Sequence, residues 1–137
     1  MTRKSRDTIV LLAYVAFMNA LFMAPVDDIE GSSWMTRLHV DKVVHGVLFF
    51  VCAWLLVRWG RRHTRLGRLP AVFLALALCA GCAAGTEQMQ RLSSFHVADW
   101  LDFIVDVIGA LAGAVAAFLF PLRDRSRRPS GSPPDAA

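Results

Sequence analysis

The chain has 137 residues, of which 55% are hydrophobic, and a formal net charge of +4. A mean hydropathy of +0.45 is high for a soluble domain of this length and indicates a membrane protein. The basic residues cluster at the ends of apolar segments, so the positive charge predicts no nucleic-acid partner. Cys52, Cys79 and Cys82 all lie within apolar stretches, where they predict small packing residues and not a disulfide framework, a metal site or a cofactor.

Four apolar segments are long enough to cross a bilayer, which needs about 20 residues of helix per crossing. The sequence therefore predicts an all-α fold, a polytopic membrane protein built as a four-transmembrane-helix bundle. The membrane domain covers 8–122, between a basic N-terminus at 1–7 and a disordered tail at 123–137. The predicted helices are 8–26, 43–59, 69–86 and 101–122.

Residues that typically start or end helices mark the limits of these segments. The first ends near Pro25, and its basic start and apolar run also admit a cleaved signal peptide. The second begins at Asp41, which suits a helix N-terminus, and ends at Gly60. Pro70 fits the first turn of the third helix. Small-residue ridges that favour close helix packing follow in the third and fourth helices: Gly81 with Gly85, and Gly109 with Gly113.

Charge is distributed unequally between the two sides of the predicted membrane domain. Twelve of the fifteen Lys and Arg residues precede the first segment, join the second to the third, or follow the fourth, whereas eight of the eleven acids lie at the opposite ends. Because Lys and Arg accumulate on the cytoplasmic side, this pattern predicts that both termini are cytoplasmic, N-in and C-in, in a bacterial cytoplasmic membrane.

Polar side chains converge at the three segment ends that this orientation places outside. Charged groups near lipid are costly and usually have a partner and a function. Within each group, the helical spacing places the side chains on one face of the helix. In the last helix, Asp102 and Asp106 lie on the same face as Gly109 and Gly113, so the carboxylates are expected to point into the bundle. The groups are Asp41, Lys42 and His45; Glu87 and Gln90; and Asp99, Asp102 and Asp106, of which Asp99 is read as surface.

The ordered motifs resemble those of the VanZ-like family of small bacterial membrane proteins, over roughly residues 8–120. They read D-K-x-x-H from Asp41, E-x-x-Q from Glu87, and D-x3-D-x2-G from Asp102. Family members usually carry an Arg six residues before the aspartate and an Asn four residues after it. This chain has His96 and Asp106 at those places, which predicts a more acidic and more pH-sensitive site.

The favoured hypothesis is a non-enzymatic protein that binds a membrane lipid or a lipid-linked envelope precursor. Lys42, His45 and His96 would contact a headgroup or glycolipid, and the acidic and amide residues would orient these cations or bond sugar hydroxyls. The family's namesake is associated with resistance to the glycopeptide teicoplanin, so the resemblance implies envelope maintenance or antibiotic response. The predicted ligand-binding set is Asp41, Lys42, His45, Glu87, Gln90, His96, Asp102 and Asp106.

Two other functions fit the same residues. A membrane enzyme acting on a lipid-linked phosphate or ester would use His45 as base or nucleophile, oriented by Asp41 or Asp102, with Glu87 as general acid. The lack of a phosphate-binding loop in the sequence favours a binding protein over this enzyme. A proton- or ion-coupled carrier would use Asp106 as a relay, and the glycine ridges would allow a homo-oligomer.

Overall fold

The computed structural model describes residues 2–23, 40–92 and 100–120, and these residues form helices and no strand. The helices are α1 (Arg3–Met23), α2 (Val40–His63), α3 (Arg68–Leu92) and α4 (Trp100–Leu119). Each is long and apolar enough to cross a membrane. The predictions of an all-α fold and four candidate membrane spans are therefore confirmed.

The helices extend beyond the apolar segments at several ends, because polar residues continue the helical hydrogen bonding. The prediction that Gly60 ends the second helix is wrong, since α2 runs on to His63 and the Thr64 amide donates to the Gly60 carbonyl at 2.9 Å. Gly60 is buried against Ala71 of α3, a contact that offsets the low helix propensity of glycine.

The other ends differ less. Helix α1 starts at Arg3 and is described as far as Met23, so its predicted end at residue 26 lies outside the described residues. Helix α3 continues past the predicted end at 86 to Leu92. Helix α4 stops at Leu119, before residue 122, and Pro70 lies in the first turn of α3 as predicted. Pro25, the connections at 24–39 and 93–99, and the tail at 123–137 lie outside the described residues.

Contacts between the helices fix their relative directions. Lys42 pairs with Asp102, and the next pair towards the C-terminal ends of both helices is His45 with Asp106. Helix α2 therefore runs parallel to α4. Asp7 meets Arg62 at one end of α1, whereas Phe22 meets His45 at the other, so α1 runs antiparallel to α2.

The closest approach in the bundle lies between α2 and α4. A Cβ atom added to Gly109 would collide with the Gly46 carbonyl, and one added to Gly113 would collide with the Phe50 carbonyl. The backbones therefore touch at two points one helical turn apart. Gly109 and Gly113 permit this contact because they have no side chain.

The second glycine ridge has a different environment. Atoms added at Gly81 or Gly85 would meet nothing within 4 Å in the described part of the chain. The packing predicted for these two glycines is therefore not made with another described helix, and contact with a second copy stays a prediction.

The buried core is small, and much of the outer surface is apolar. Phe49, Met18 and Val57 are its largest buried side chains together with two free cysteines, Cys52 and Cys79. Large side chains such as those of Leu12, Phe73 and Ile108 are exposed on the outside of the helices. A surface of this kind suits lipid tails and would be a liability in water.

Replacing the two kinds of glycine by alanine should have opposite effects. Gly113→Ala should lower the free energy of unfolding by about 1–3 kcal/mol or more, because the new methyl group collides with a backbone carbonyl. The matched change Gly85→Ala should be neutral or stabilising by up to about 1 kcal/mol, since it only raises helix propensity. Denaturant titration in detergent measures both, and equal destabilisation of the two variants would contradict the packing described.

Candidate functional site

Two ion pairs connect α2 to α4 at the end of the bundle where both helices begin. Lys42 Nζ lies 2.7 Å from Asp102 Oδ1, and His45 Nδ1 lies 3.1 Å from Asp106 Oδ1. The spacing is three residues on α2 and four on α4, so both pairs occupy the facing stripes of two parallel helices. The glycine contacts continue the same stripes immediately below.

The two pairs lie at different depths. The side chains of Lys42 and Asp102 are each 16% exposed, whereas that of Asp106 is 4% exposed. Asp102 lies in the first turn of α4, where the positive end of the helix dipole also stabilises a carboxylate. The outer pair therefore lies at the rim of the site and the inner pair forms its floor.

Helix α1 contributes an aromatic wall. The Phe22 ring lies 4.3 Å from the His45 ring, centroid to centroid, and 6.0 Å from that of Phe49. These contacts hold the imidazole between an apolar ring and the Asp106 carboxylate, which restricts its rotation. Phe22 was not among the predicted site residues, because a phenylalanine within an apolar run carries no signal of a site.

Helix α3 brings a third carboxylate to the same place. Glu87 is only 8% exposed. The charges of Glu87 and Asp102 interact electrostatically with Asp106. The neighbouring Thr86 hydroxyl bonds to carbonyls of its own helix, those of Cys82 and Ala83, and so stays out of the cluster. We call Lys42, His45, Glu87, Asp102 and Asp106 the polar site.

The structure thus brings together five of the eight predicted ligand-binding residues. Asp41 lies in the first turn of α2 and Gln90 near the end of α3, but their side chains are outside the described part. His96 and Asp99 also lie outside it. Within 2–23, 40–92 and 100–120, no group of three His, Cys, Asp or Glu side chains is placed to hold a metal ion.

The chemistry of the polar site follows from its composition. Its described residues are three carboxylates, one lysine and one histidine, so this part of the site is rich in hydrogen-bond acceptors. When Asp106 is ionised, its carboxylate can only accept, so Nδ1 of His45 carries the proton and Nε2 of a neutral ring is the basic nitrogen. Of the two aspartates predicted to orient His45, Asp102 pairs with Lys42, and the Asp41 side chain lies outside the described residues.

Removing one member of the outer pair should destabilise the bundle more than removing both. Lys42→Gln leaves the Asp102 charge uncompensated in a largely buried place, a loss we expect at about 3–5 kcal/mol in the free energy of unfolding. The double variant Lys42→Gln/Asp102→Asn should recover most of this loss. Denaturant titration in detergent tests the cycle, with Arg65→Gln, at an exposed position, as a control expected to change little. Additive losses in the double variant would show that the pair is not coupled.

Comparison with known proteins gives one family. The VanZ/LLP1 family model matches residues 2–121, which include all four helices and the whole polar site. Comparisons with curated proteins and with solved structures each found no match. Since the match covers most of the chain, this protein belongs to the VanZ-like family of membrane proteins.

Proposed function

We propose that this protein binds the polar headgroup of a membrane lipid or of a lipid-linked envelope precursor at the polar site. The observation that carries the proposal is the burial of Glu87 beside two pairs contributed by α2 and α4, Lys42 with Asp102 and His45 with the buried Asp106. Carboxylates at the end of a membrane span are costly to keep there unless they act on a ligand or a partner group.

The charge of the polar site favours a headgroup that donates hydrogen bonds. Lys42 and His45 are each already engaged by an aspartate, so a phosphate would find the cations occupied and three carboxylates nearby. Sugar hydroxyls or an amino group would instead donate to carboxylate oxygens. We therefore favour a glycolipid or an amino-bearing headgroup, in a protein of envelope maintenance or glycopeptide response.

The position of the polar site suits a ligand that arrives from the lipid phase. Lys42 is the first residue of the candidate span that continues to His63, so the rim lies where hydrocarbon gives way to headgroups. Val43 and Val44 beside it are exposed and apolar, as a lipid-facing approach requires.

Loss of one buried carboxylate should remove the bound lipid without unfolding the protein. In Glu87→Gln, the glycolipid or amino lipid that co-purifies with the wild type should fall by about tenfold or more, because a hydrogen bond to a charged group is lost. Mass spectrometry of lipids extracted from equal amounts of folded protein measures this. Gln88→Ala changes the exposed neighbour on the same helix and should leave the lipid content unchanged. A folded Glu87→Gln protein with the wild-type lipid content would contradict the proposal.

The hydrogen bond between His45 and Asp106 favours a second candidate, an enzyme that cleaves a lipid-linked ester or phosphate. In this arrangement a carboxylate orients the imidazole, which then acts as general base towards water or a hydroxyl. Turnover of such a lipid by the purified protein, lost in His45→Gln, would establish this function in place of simple binding.

We also propose the orientation with both termini in the cytoplasm of a bacterium and the polar site at the outer face, which the Lys and Arg distribution supports. A thiol reagent that does not cross membranes tests this in cells with an intact cytoplasmic membrane. Gln88→Cys, near the polar site, should be labelled, and Ser5→Cys, at the other end, should react only after lysis. Wild-type protein is the control for the native cysteines, of which Cys52 and Cys79 are buried and Cys82 is half-buried. The reverse labelling would invert the orientation.

A further inference from the structure

A second polar feature lies at the opposite end of the bundle, between α1 and α2. It is a cleft of about 220 Å³, which we call the arginine cleft. Its polar wall consists of Arg6, Asp7, Arg58 and Arg62, and its apolar wall includes Leu11 and Leu55. No residue of the arginine cleft belongs to the polar site.

The arginine cleft carries more positive than negative charge. Arg62 Nη1 donates to Asp7 Oδ2 at 2.5 Å, and among the described residues no carboxylate lies within ion-pair distance of Arg6 or Arg58. The Arg58 and Arg62 guanidinium groups, four residues apart on α2, repel each other. Three arginines against one aspartate leave a surplus of cationic donors whose planar geometry matches a phosphate.

The apolar wall and the depth of the cleft restrict the ligand further. The arginine cleft lies where the candidate spans of α1 and α2 both end, the level of lipid headgroups. Its volume is below the roughly 300–1,000 Å³ of sites that enclose a whole small molecule. It therefore admits a phosphate and its nearest atoms, while acyl chains would continue along the exposed apolar face of α1, at Ile9 and Leu12.

Hydrogen bonds between α1 and α2 hold the arginine cleft open in one shape. Trp59 Nε1 donates to Thr8 Oγ1 at 3.0 Å, and His63 Nε2 lies 2.9 Å from the Lys4 carbonyl. The Trp59 and His63 rings stack with their centroids 4.9 Å apart. A site fixed before binding loses less conformational entropy when the ligand arrives.

We propose that the arginine cleft binds the phosphate of an anionic membrane phospholipid, with Arg58 as the principal contact and Arg6 and Arg62 beside it. This site is separate from the polar site and does not depend on the function proposed for it. Phospholipid held here would anchor the α1–α2 end of the bundle at the membrane surface.

The test compares anionic with zwitterionic lipid on the full chain in detergent micelles. Phosphatidylglycerol should raise the melting temperature more than phosphatidylcholine does. It should also reach half of its maximal effect at a lower concentration than phosphatidylcholine. In Arg58→Gln, the concentration of phosphatidylglycerol that gives half the effect should rise by about five- to tenfold, because binding is weaker. Arg65→Gln removes an exposed arginine outside the cleft and should leave it unchanged. Equal losses in the two variants would assign the effect to diffuse surface charge and overturn the proposal.

A second variant guards against mere misfolding. Asp7→Asn removes the carboxylate that occupies Arg62, so phosphatidylglycerol should bind more tightly than in the wild type, a gain that unfolding does not produce. Unchanged or weaker binding in Asp7→Asn would overturn the assignment of the phosphate to these arginines. Inorganic phosphate is tested in the same way as the two lipids. If it stabilises the protein as much as phosphatidylglycerol does, the ligand is a soluble phosphate and the lipid assignment is overturned.

Discussion

The contact of two helix backbones at Gly109 and Gly113 determines the rest of this structure. Because the Gly46 and Phe50 carbonyls occupy the space where side chains would lie, α2 and α4 fit together in one register. That register places Lys42 opposite Asp102 and His45 opposite Asp106. A shift of one residue along either helix would separate both pairs and expose a carboxylate to lipid.

The physical basis of this contact is particular to membranes. Lipid tails are as apolar as leucine, so helices gain little from hydrophobic burial and associate through close packing and polar contacts. Each glycine lowers the stability of an isolated helix by about 1 kcal/mol relative to alanine. Here that loss is offset by backbone packing that lipid cannot replace, and by the two ion pairs that the packing brings into range. Packing and polar contacts therefore depend on each other.

The face of α4 that packs in the bundle could be predicted from the sequence, whereas the helix that it contacts could not. The spacing of Asp102, Asp106, Gly109 and Gly113 defines one stripe on one helix, and the structure places that stripe against α2. Periodicity within a helix gives a face, but it cannot give the partner or the register between two helices. For that reason the sequence could not show that Asp106 is the carboxylate in contact with His45.

The same limit applies to other residues whose neighbours on adjacent helices could not be predicted from the sequence. Gly81 and Gly85 have the same spacing as the glycines of α4, yet they face no atom of another described helix. His63 carried no signal in the sequence, although it ties the end of α2 to the Lys4 carbonyl. Both outcomes depend on which helix faces which. The overall four-helix fold needed only segment length and hydropathy, so it could be predicted without that knowledge.

The exchange of the family's usual asparagine for Asp106 acquires a physical meaning in this setting. An amide oxygen at this place could also accept the Nδ1 proton of His45, but it would carry no charge. A carboxylate that is 4% exposed is costly to keep ionised without a hydrogen-bond donor or a cation, and His45 Nδ1 is 3.1 Å from it. The carboxylates of Glu87 and Asp102 lie near enough to act electrostatically on Asp106. The floor of the polar site is thus a buried contact between an imidazole and a carboxylate, held in place by the glycine contact directly beneath it.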